Sequence, residues 1–157
     1  MTSGKGTFRV PHSDPTDVDE VLNEDPWLAR VARWDDAEAD EQVRSGLSIE
    51  LATHLQSLLG LTDEETADLM GRSRSTYTRY RNADRSLGPV EAERTVRVAR
   101  ILALAAVTFG SISTAKSWMR EENYALGEKT PLEMAETDFG ARVVRDLLRG
   151  IEHGHPV

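Results

Sequence analysis

The segment between residues 48 and 83 is divided into short helical runs by alternating hydroxyl residues and glycines. Three hydroxyl residues precede the runs: Ser48, Thr62 and Ser73. Their side-chain oxygens can accept hydrogen bonds from the free amides of a first helical turn. Two glycines follow the runs, Gly60 and Gly71, where a left-handed residue commonly ends a helix. Glu65 stands three residues after Thr62, which completes a capping box. The segment therefore predicts short helices over 48–59, 63–70 and 73–83.

The chain after residue 88 is also punctuated as a series of helices. Pro89 suits a first helical turn, and it predicts a long helix over about 90–109 that Gly110 closes. Further helices are predicted over 114–122, 131–135 and 138–148. The last of these has one apolar face, made of Phe139, Val143, Val144, Leu147, Leu148 and Ile151. No alternating strand pattern and no NG or DG hairpin turn appears. We predict an all-α fold.

The first third of the chain is acidic. Residues 14–50 contain twelve acids and three arginines. Apolar residues at helical spacing predict a helix within 17–34, and residues 1–15 are expected to be disordered or extended. The charge run 35–41 is interpreted as a solvated linker or helix face. We expect an acidic N-terminal segment over 1–45, partly disordered, a DNA-binding domain over 46–88 and a further helical domain over 89–157.

Composition argues against several classes of protein. The chain has no cysteine, so a disulfide framework or a cysteine-based zinc site is excluded. No apolar run approaches the ~18 residues of a membrane span and no apolar leader is present, so we expect a cytoplasmic protein. No phosphate loop, nucleophile elbow or HExxH motif occurs. His153 and His155 lack a third fixed ligand nearby. We therefore expect no enzyme activity, no cofactor and no metal.

The second and third of the short helices have the spacing of a helix-turn-helix. Ala67 is small enough to let the next helix cross closely, and Gly71 tolerates the left-handed backbone of the turn. Tyr77 and Tyr80, three residues apart, can hold the second helix on the core. In this motif the N-terminal part of the second helix enters the major groove of DNA. The spacing therefore predicts a DNA-reading helix from residue 73.

Arginines concentrate around this predicted helix although the whole chain has a net charge of −8. Residues 72–100 contain eight arginines and three acids, so the local field is positive. Six side chains are predicted to face bases or the groove: Ser73, Arg74, Ser75, Thr78, Arg79 and Asn82. Three more are predicted to meet phosphates: Arg72, Arg81 and Arg85. Arg72 occupies a position that is commonly apolar in such motifs. The alternative is that these arginines are only the solvated face of a surface helix.

The residues after 89 carry an ordered set of short motifs. They are the run RTVRVARILALA from Arg94, a helix with Trp118, ALG from Ala125, TPLE from Thr130, the spaced set Thr137, Gly140, Ala141 and Val144, and the ending LLxxIEHG from Leu147. In this order they resemble the toxin-binding domain of Xre/MbcA/ParS-type antitoxins. With the helix-turn-helix, the resemblance covers residues 47–157.

The resemblance implies a function. In this family the usual partner is a RES-domain toxin, which depletes NAD, and the antitoxin occludes the toxin's active site with its C-terminal end. The complex is a hetero-oligomer, and it often represses its own operon by binding operator DNA. Carried onto this chain, the toxin-binding residues are expected to be Arg149, Ile151, Glu152, His153, Gly154, His155, Pro156 and Val157. We also expect a homodimer within the hetero-oligomeric complex.

A second interpretation stays open at this point. The chain is then a stand-alone helix-turn-helix transcriptional regulator, and its C-terminal half only dimerises. Both interpretations share the DNA-reading helix, and they differ in the role of the last residues. A short segment with glycine and proline after an amphipathic helix is thin enough to enter a cleft. It is equally typical of a frayed terminus.

Overall fold

The computed structural model of the protein describes residues 15–154, and side chains from residue 18. Its first half comprises α1 (Pro15–Asn23), α2 (Pro26–Ala32), α3 (Asp36–Ser45), β1 (Leu47–Ser48), α4 (Glu50–Leu59), α5 (Asp63–Met70), α6 (Arg74–Asn82) and β2 (Ser86–Leu87). Its second half comprises α7 (Pro89–Phe109), α8 (Ile112–Met119), a 3₁₀ turn (Tyr124–Leu126), α9 (Pro131–Met134) and α10 (Asp138–Glu152). The all-α prediction is confirmed, apart from the two-residue antiparallel pairing of β1 with β2.

The long helix α7 lies at the centre of the core. It packs against α1, α2 and α3 of the acidic segment, α4 and α5, and α8 and α10. Its buried residues lie on almost every side of the helix and include Ala92, Val96, Ala99, Ile101, Leu102 and Ala105. A helix that is apolar all round is stable only where other elements cover it. Its alanines lack bulk, which lets those neighbours pack closely.

The acidic segment is helical from residue 15 onward. Val21, Leu22, Leu28, Val31 and Trp34 are buried and join the core formed by the rest of the chain. The charge run interpreted as a linker or helix face starts α3, and the side chain of Asp35 caps that helix by accepting from the amide of Glu38 at 2.8 Å. The part of the predicted disorder that covers residues 1–14 lies outside the described residues.

The caps predicted around the short helices are mostly present. Thr62 and Glu65 form the capping box at the start of α5, and Gly71 ends that helix in the left-handed conformation. Gly60 and Gly110 end α4 and α7 in the same way. These interactions involve residues a few positions apart, so the local sequence is enough to specify them.

Three predicted boundaries are wrong. Ser48 lies in β1, where its hydroxyl accepts from the amide of Glu50 at 3.2 Å, and α4 begins only at residue 50. The helix predicted over 114–122 spans Ile112–Met119, because the hydroxyl of Ser111 accepts from the amide of Thr114 and starts it earlier. The last helix continues through Gly150 to Glu152. A glycine inside a helix costs about 1 kcal/mol, and packing of Ile151 against the core offsets this cost.

Two arginines tie the helix-turn-helix to the second half of the chain. Arg94 of α7 donates from Nε to the carbonyl of Leu69 at 3.0 Å, from Nη2 to that of Asp68 at 3.1 Å, and from Nη1 to that of Glu136 at 3.1 Å. Arg120 follows α8 and donates to the carbonyl of Gly60 at 2.6 Å. The carbonyls of Leu69 and Gly60 lie at helix ends, where the regular intrahelical donors run out.

We predict that Gly71→Ala destabilises the fold more than Gly110→Ala. Both glycines have positive φ, 74° and 73°, so each alanine costs about 1–2 kcal/mol of backbone strain. Only at Gly71 would the new Cβ lie 2.9 Å from Nε of Arg94, whereas nothing lies within 4 Å at Gly110. Disturbing one of the hydrogen bonds that the charged Arg94 donates to a carbonyl adds about 1.5–3 kcal/mol. Urea unfolding of both variants measures the difference, and equal losses would contradict the contact.

Candidate functional site

The second helix of the helix-turn-helix, α6, is held from beneath by its two tyrosines. Tyr77 is fully buried, and its hydroxyl donates to Oε1 of Gln56 on α4. Tyr80 is half-buried and packs against the edge of the core. Ala67 of α5 is buried where the two helices pack together. The predicted helix-turn-helix is confirmed in this geometry, and it leaves the opposite face of α6 open.

The open face of α6 forms a shallow depression of about 690 Å³. It is lined by Arg74, Ser75, Thr78, Arg79, Asn82 and Ala83. Five of these belong to the set predicted from the sequence to face DNA. Arg74 and Arg79 are exposed, and within residues 18–154 no carboxylate lies within salt-bridge distance of either guanidinium. These donors are therefore available to an anionic ligand such as nucleic acid.

The sixth predicted residue, Ser73, has a local role. Its hydroxyl accepts from the amide of Thr76 at 3.2 Å and caps α6. The same hydroxyl lies 3.2 Å from Oγ of Ser75 and 2.9 Å from Oγ1 of Thr76. Ser73 thus fixes where α6, and with it the open face, begins.

The three arginines predicted to meet phosphates all contact protein groups. Arg72 forms an ion pair with Glu91 of α7, whose side chain is only 2% exposed. Arg81 donates to Asp63 at 2.9 Å, and Arg85 lies 4.9 Å above the ring of Tyr80. A buried carboxylate needs a cationic partner, which explains the arginine at position 72 where an apolar residue is usual. Each of the three guanidinium groups is thus held by a contact within the protein.

A polar network joins α4, α5 and α6. Gln56 accepts from Tyr77 and donates from Nε2 to Oδ1 of Asp63 at 2.8 Å. The hydrogen bond from Gln56, followed by that from Arg81, lowers the pKa of Asp63 below its ordinary value. The pKa of the buried Tyr77 hydroxyl is raised, chiefly by burial. Sequence reasoning missed Gln56 and Glu91, since Tyr77 lies 21 positions from Gln56 and Arg72 lies 19 positions from Glu91.

The predicted toxin-binding residues lie at the end of α10. Arg149 is exposed and lies 3.9 Å from Asp146. Ile151 is half-buried and Glu152 exposed, and both belong to the helix. His153 and Gly154 form the turn that ends it, with Gly154 at φ 72°. His155, Pro156 and Val157 lie outside the described residues. The predicted end of this helix at residue 148 is thus corrected, because Ile151 and Glu152 belong to its last turn.

The histidine on α4, His54, makes contacts within the fold. Nε2 of His54 lies 2.8 Å from Oδ2 of Asp25, and its ring packs 4.7 Å from that of Trp27. Among the described residues, no three histidine, aspartate or glutamate side chains are grouped so that they could hold a metal ion. In the same part of the chain, no helix combines the length and apolarity that crossing a membrane requires.

Comparison with known proteins identifies two domains. Residues 38–100 match the antitoxin Xre-like helix-turn-helix domain, and residues 103–154 match the antitoxin Xre/MbcA/ParS C-terminal toxin-binding domain. A protein named antitoxin Xre from Yersinia enterocolitica is 29% identical over 115 residues, which are 73% of this chain and 78% of the relative. Another antitoxin Xre, from Pseudomonas putida, is 32% identical over 72 residues, 46% of this chain and 45% of the relative. The boundary between the matched domains falls within α7.

One solved structure was also found to be similar. A chain of the M. tuberculosis MbcT–MbcA toxin–antitoxin complex aligns with a TM-score of 0.49 and 22% identity. The alignment covers 69% of this chain and 96% of that one.

We predict that Asp63→Asn lowers stability at neutral pH and that the deficit disappears in acid. A carboxyl whose folded pKa is lowered stabilises the fold above its ordinary pKa of about 3.9, and this contribution is lost as the pH falls through the folded value. Urea unfolding of the variant and the natural protein at several pH values tests this. Glu64→Gln, at an exposed neighbour on α5, is the control. A deficit of Asp63→Asn that stays constant from pH 7 down to pH ~2 would contradict the network.

Proposed function

The chain belongs to the Xre family of antitoxins, and on that premise we propose that it neutralises a RES-domain toxin by direct binding. The toxin-binding domain matched over residues 103–154 carries this proposal. The RES identity of the partner, and with it the depletion of NAD, rests on the ordered motifs from Arg94 to Gly154 that resemble this family. In this proposal the chain acts as a binding protein.

We propose that the end of the chain blocks the active site of the toxin. The segment from Arg149 to Gly154 is the last turn of α10 and the glycine bend after it. Arg149, Glu152 and His153 offer polar groups to a cleft, and Ile151 holds the last turn on the core. The residues from His155 to Val157 complete the proposed plug. A short segment anchored on a helix loses little conformational freedom when it enters a cleft.

We further propose that α6 reads an operator in front of the chain's own gene. The support is the open face around Arg74 and Arg79, whose guanidinium groups can each pair with a guanine in the major groove. A single reading helix contacts one half-site, so a homodimer within the hetero-oligomeric complex would read two half-sites on one face of the DNA. Both partners, operator DNA and an NAD-depleting enzyme, imply action in the cytoplasm.

We predict that Arg74→Ala and Arg79→Ala together abolish specific operator binding without unfolding the protein. Each lost base contact costs about 1–3 kcal/mol, so each single change weakens binding about 5- to 150-fold. Arg30→Ala, at an exposed arginine on α2, is the matched control because it removes the same charge away from α6. Binding to a fragment from upstream of the gene is measured at one fixed salt concentration. Affinity equal to that of the control would contradict the choice of reading helix.

We predict that co-expression of the chain restores growth to cells that make the RES-domain toxin from the neighbouring gene. Removal of residues 153–157 should lower this protection, because the plug is lost, while operator binding stays unchanged. Failure of the complete chain to form a complex with the toxin would overturn the proposed function. Equal protection by the shortened chain would overturn only the plug.

A further inference from the structure

A line of apolar side chains runs along the outer side of α10. It consists of Phe139, Val143, Leu147 and Ile151, four residues apart from one another, and is named here the α10 stripe. Phe139 is 80% exposed and Val143 46% exposed, whereas Leu147 and Ile151 are partly buried against the core. The residues that pack fully into the core are the adjacent line Gly140, Ala141, Val144 and Leu148. The core therefore covers only part of the apolar face that the sequence predicts for this helix.

The charged flank of α10 faces in another direction. Asp138, Arg142, Arg145 and Arg149 line a groove together with α1, α3 and α7. Arginines and carboxylates alternate there, as in the contact of Arg145 with Asp138 at 3.8 Å. No residue of the stripe lines this groove. At about 100° per residue, Phe139 and Val143 lie on the flank of the helix next to these charges, between them and the side that packs into the core.

Exposed apolar side chains of this size are concentrated in one domain. Four large hydrophobic residues among those described are exposed: Val90, Tyr124, Phe139 and Val143. Three of the four fall within residues 103–154, and Tyr124, 91% exposed, lies on the 3₁₀ turn that packs against α10. A single exposed apolar residue is ordinary, but a row of them on one helix marks an interaction surface.

We propose that the α10 stripe is the docking surface for the toxin itself. The inference rests on the proposed function and adds which residues provide the binding energy. An amphipathic helix can lay such a row, spaced by four residues, into an apolar groove of a partner. Phe139 and Val143 supply the area that the partner would bury, while Leu147 and Ile151 keep the helix fixed on its own core. The partner is therefore a protein with an apolar groove beside its active-site cleft.

The position of the stripe favours the toxin over a second copy of this chain. The stripe lies wholly within the domain matched as toxin-binding. Its last member, Ile151, also belongs to the proposed plug, so that docking of α10 would direct the plug into the neighbouring cleft. A second copy seated on the same row would cover Ile151 and keep the residues after it from the toxin.

Phe139→Ser and Val143→Thr, singly and together in the complete chain, test the surface. Both positions are exposed, so thermal unfolding should change little. We expect the double variant to bind the RES-domain toxin at least about tenfold more weakly, as for central apolar residues of an interface. Operator affinity should stay unchanged. Val90→Thr is the matched control, since Val90 is 63% exposed but lies outside residues 103–154, and its toxin affinity should equal that of the natural chain.

Each alternative result has a distinct meaning. If the natural chain binds the toxin and the double variant binds it equally well, the stripe is not the docking surface, while the proposed function stands. If the double variant changes from dimer to monomer by light scattering and keeps its toxin affinity, the stripe serves self-association and the proposal is overturned. If the natural chain does not bind the toxin, the proposed function is wrong. The toxin is then also excluded as the partner that docks on the α10 stripe.

Discussion

The hydrogen bonds of the Arg94 guanidinium group are the interactions on which the arrangement of this protein depends most. Its three nitrogens donate to two carbonyls at the end of α5 and to one carbonyl between α9 and α10. It also lies directly against Gly71, in the turn of the helix-turn-helix. Hydrogen bonds to a charged group contribute about 1.5–3 kcal/mol each. One side chain of the central helix thus fixes the turn of the helix-turn-helix and the segment between α9 and α10 relative to each other.

The arginines of the chain divide into those that hold the fold and those that remain available. Arg72 and Arg81 neutralise acids of the core edge, and Arg120 satisfies the end of α4. Arg74 and Arg79 have no such carboxylate partner within the described residues and lie together on the open face of α6. An acidic protein can therefore present a local positive surface, because its acids lie mainly on α1 to α3 and in ion pairs. The net charge of −8 describes the whole molecule and says little about this face.

Local features of the sequence predict much of the fold. Thr62 with Glu65, and Gly71 after Met70, specify α5 through contacts within one helical turn. The β1–β2 pairing and the Arg72–Glu91 ion pair depend on residues brought together by the complete fold, so no local pattern signals them. Periodicity predicts that Phe139 and Val144 share an apolar helix, but it does not predict how much of that face the neighbours cover. The extent of this cover is what distinguishes a core residue from one that stays exposed on the surface.

The central claim is that one chain carries two separate surfaces, α6 for operator DNA and α10 with the residues after it for the toxin. Hydrogen–deuterium exchange of the complete chain, alone and with each partner, tests it most directly, since it follows both helices in one experiment. The account predicts that operator DNA slows exchange around α6 and leaves α10 unchanged, and that the toxin protects α10 from residue 138 to its end. Toxin protection centred on α6, with α10 exchanging as in the free chain, would contradict it.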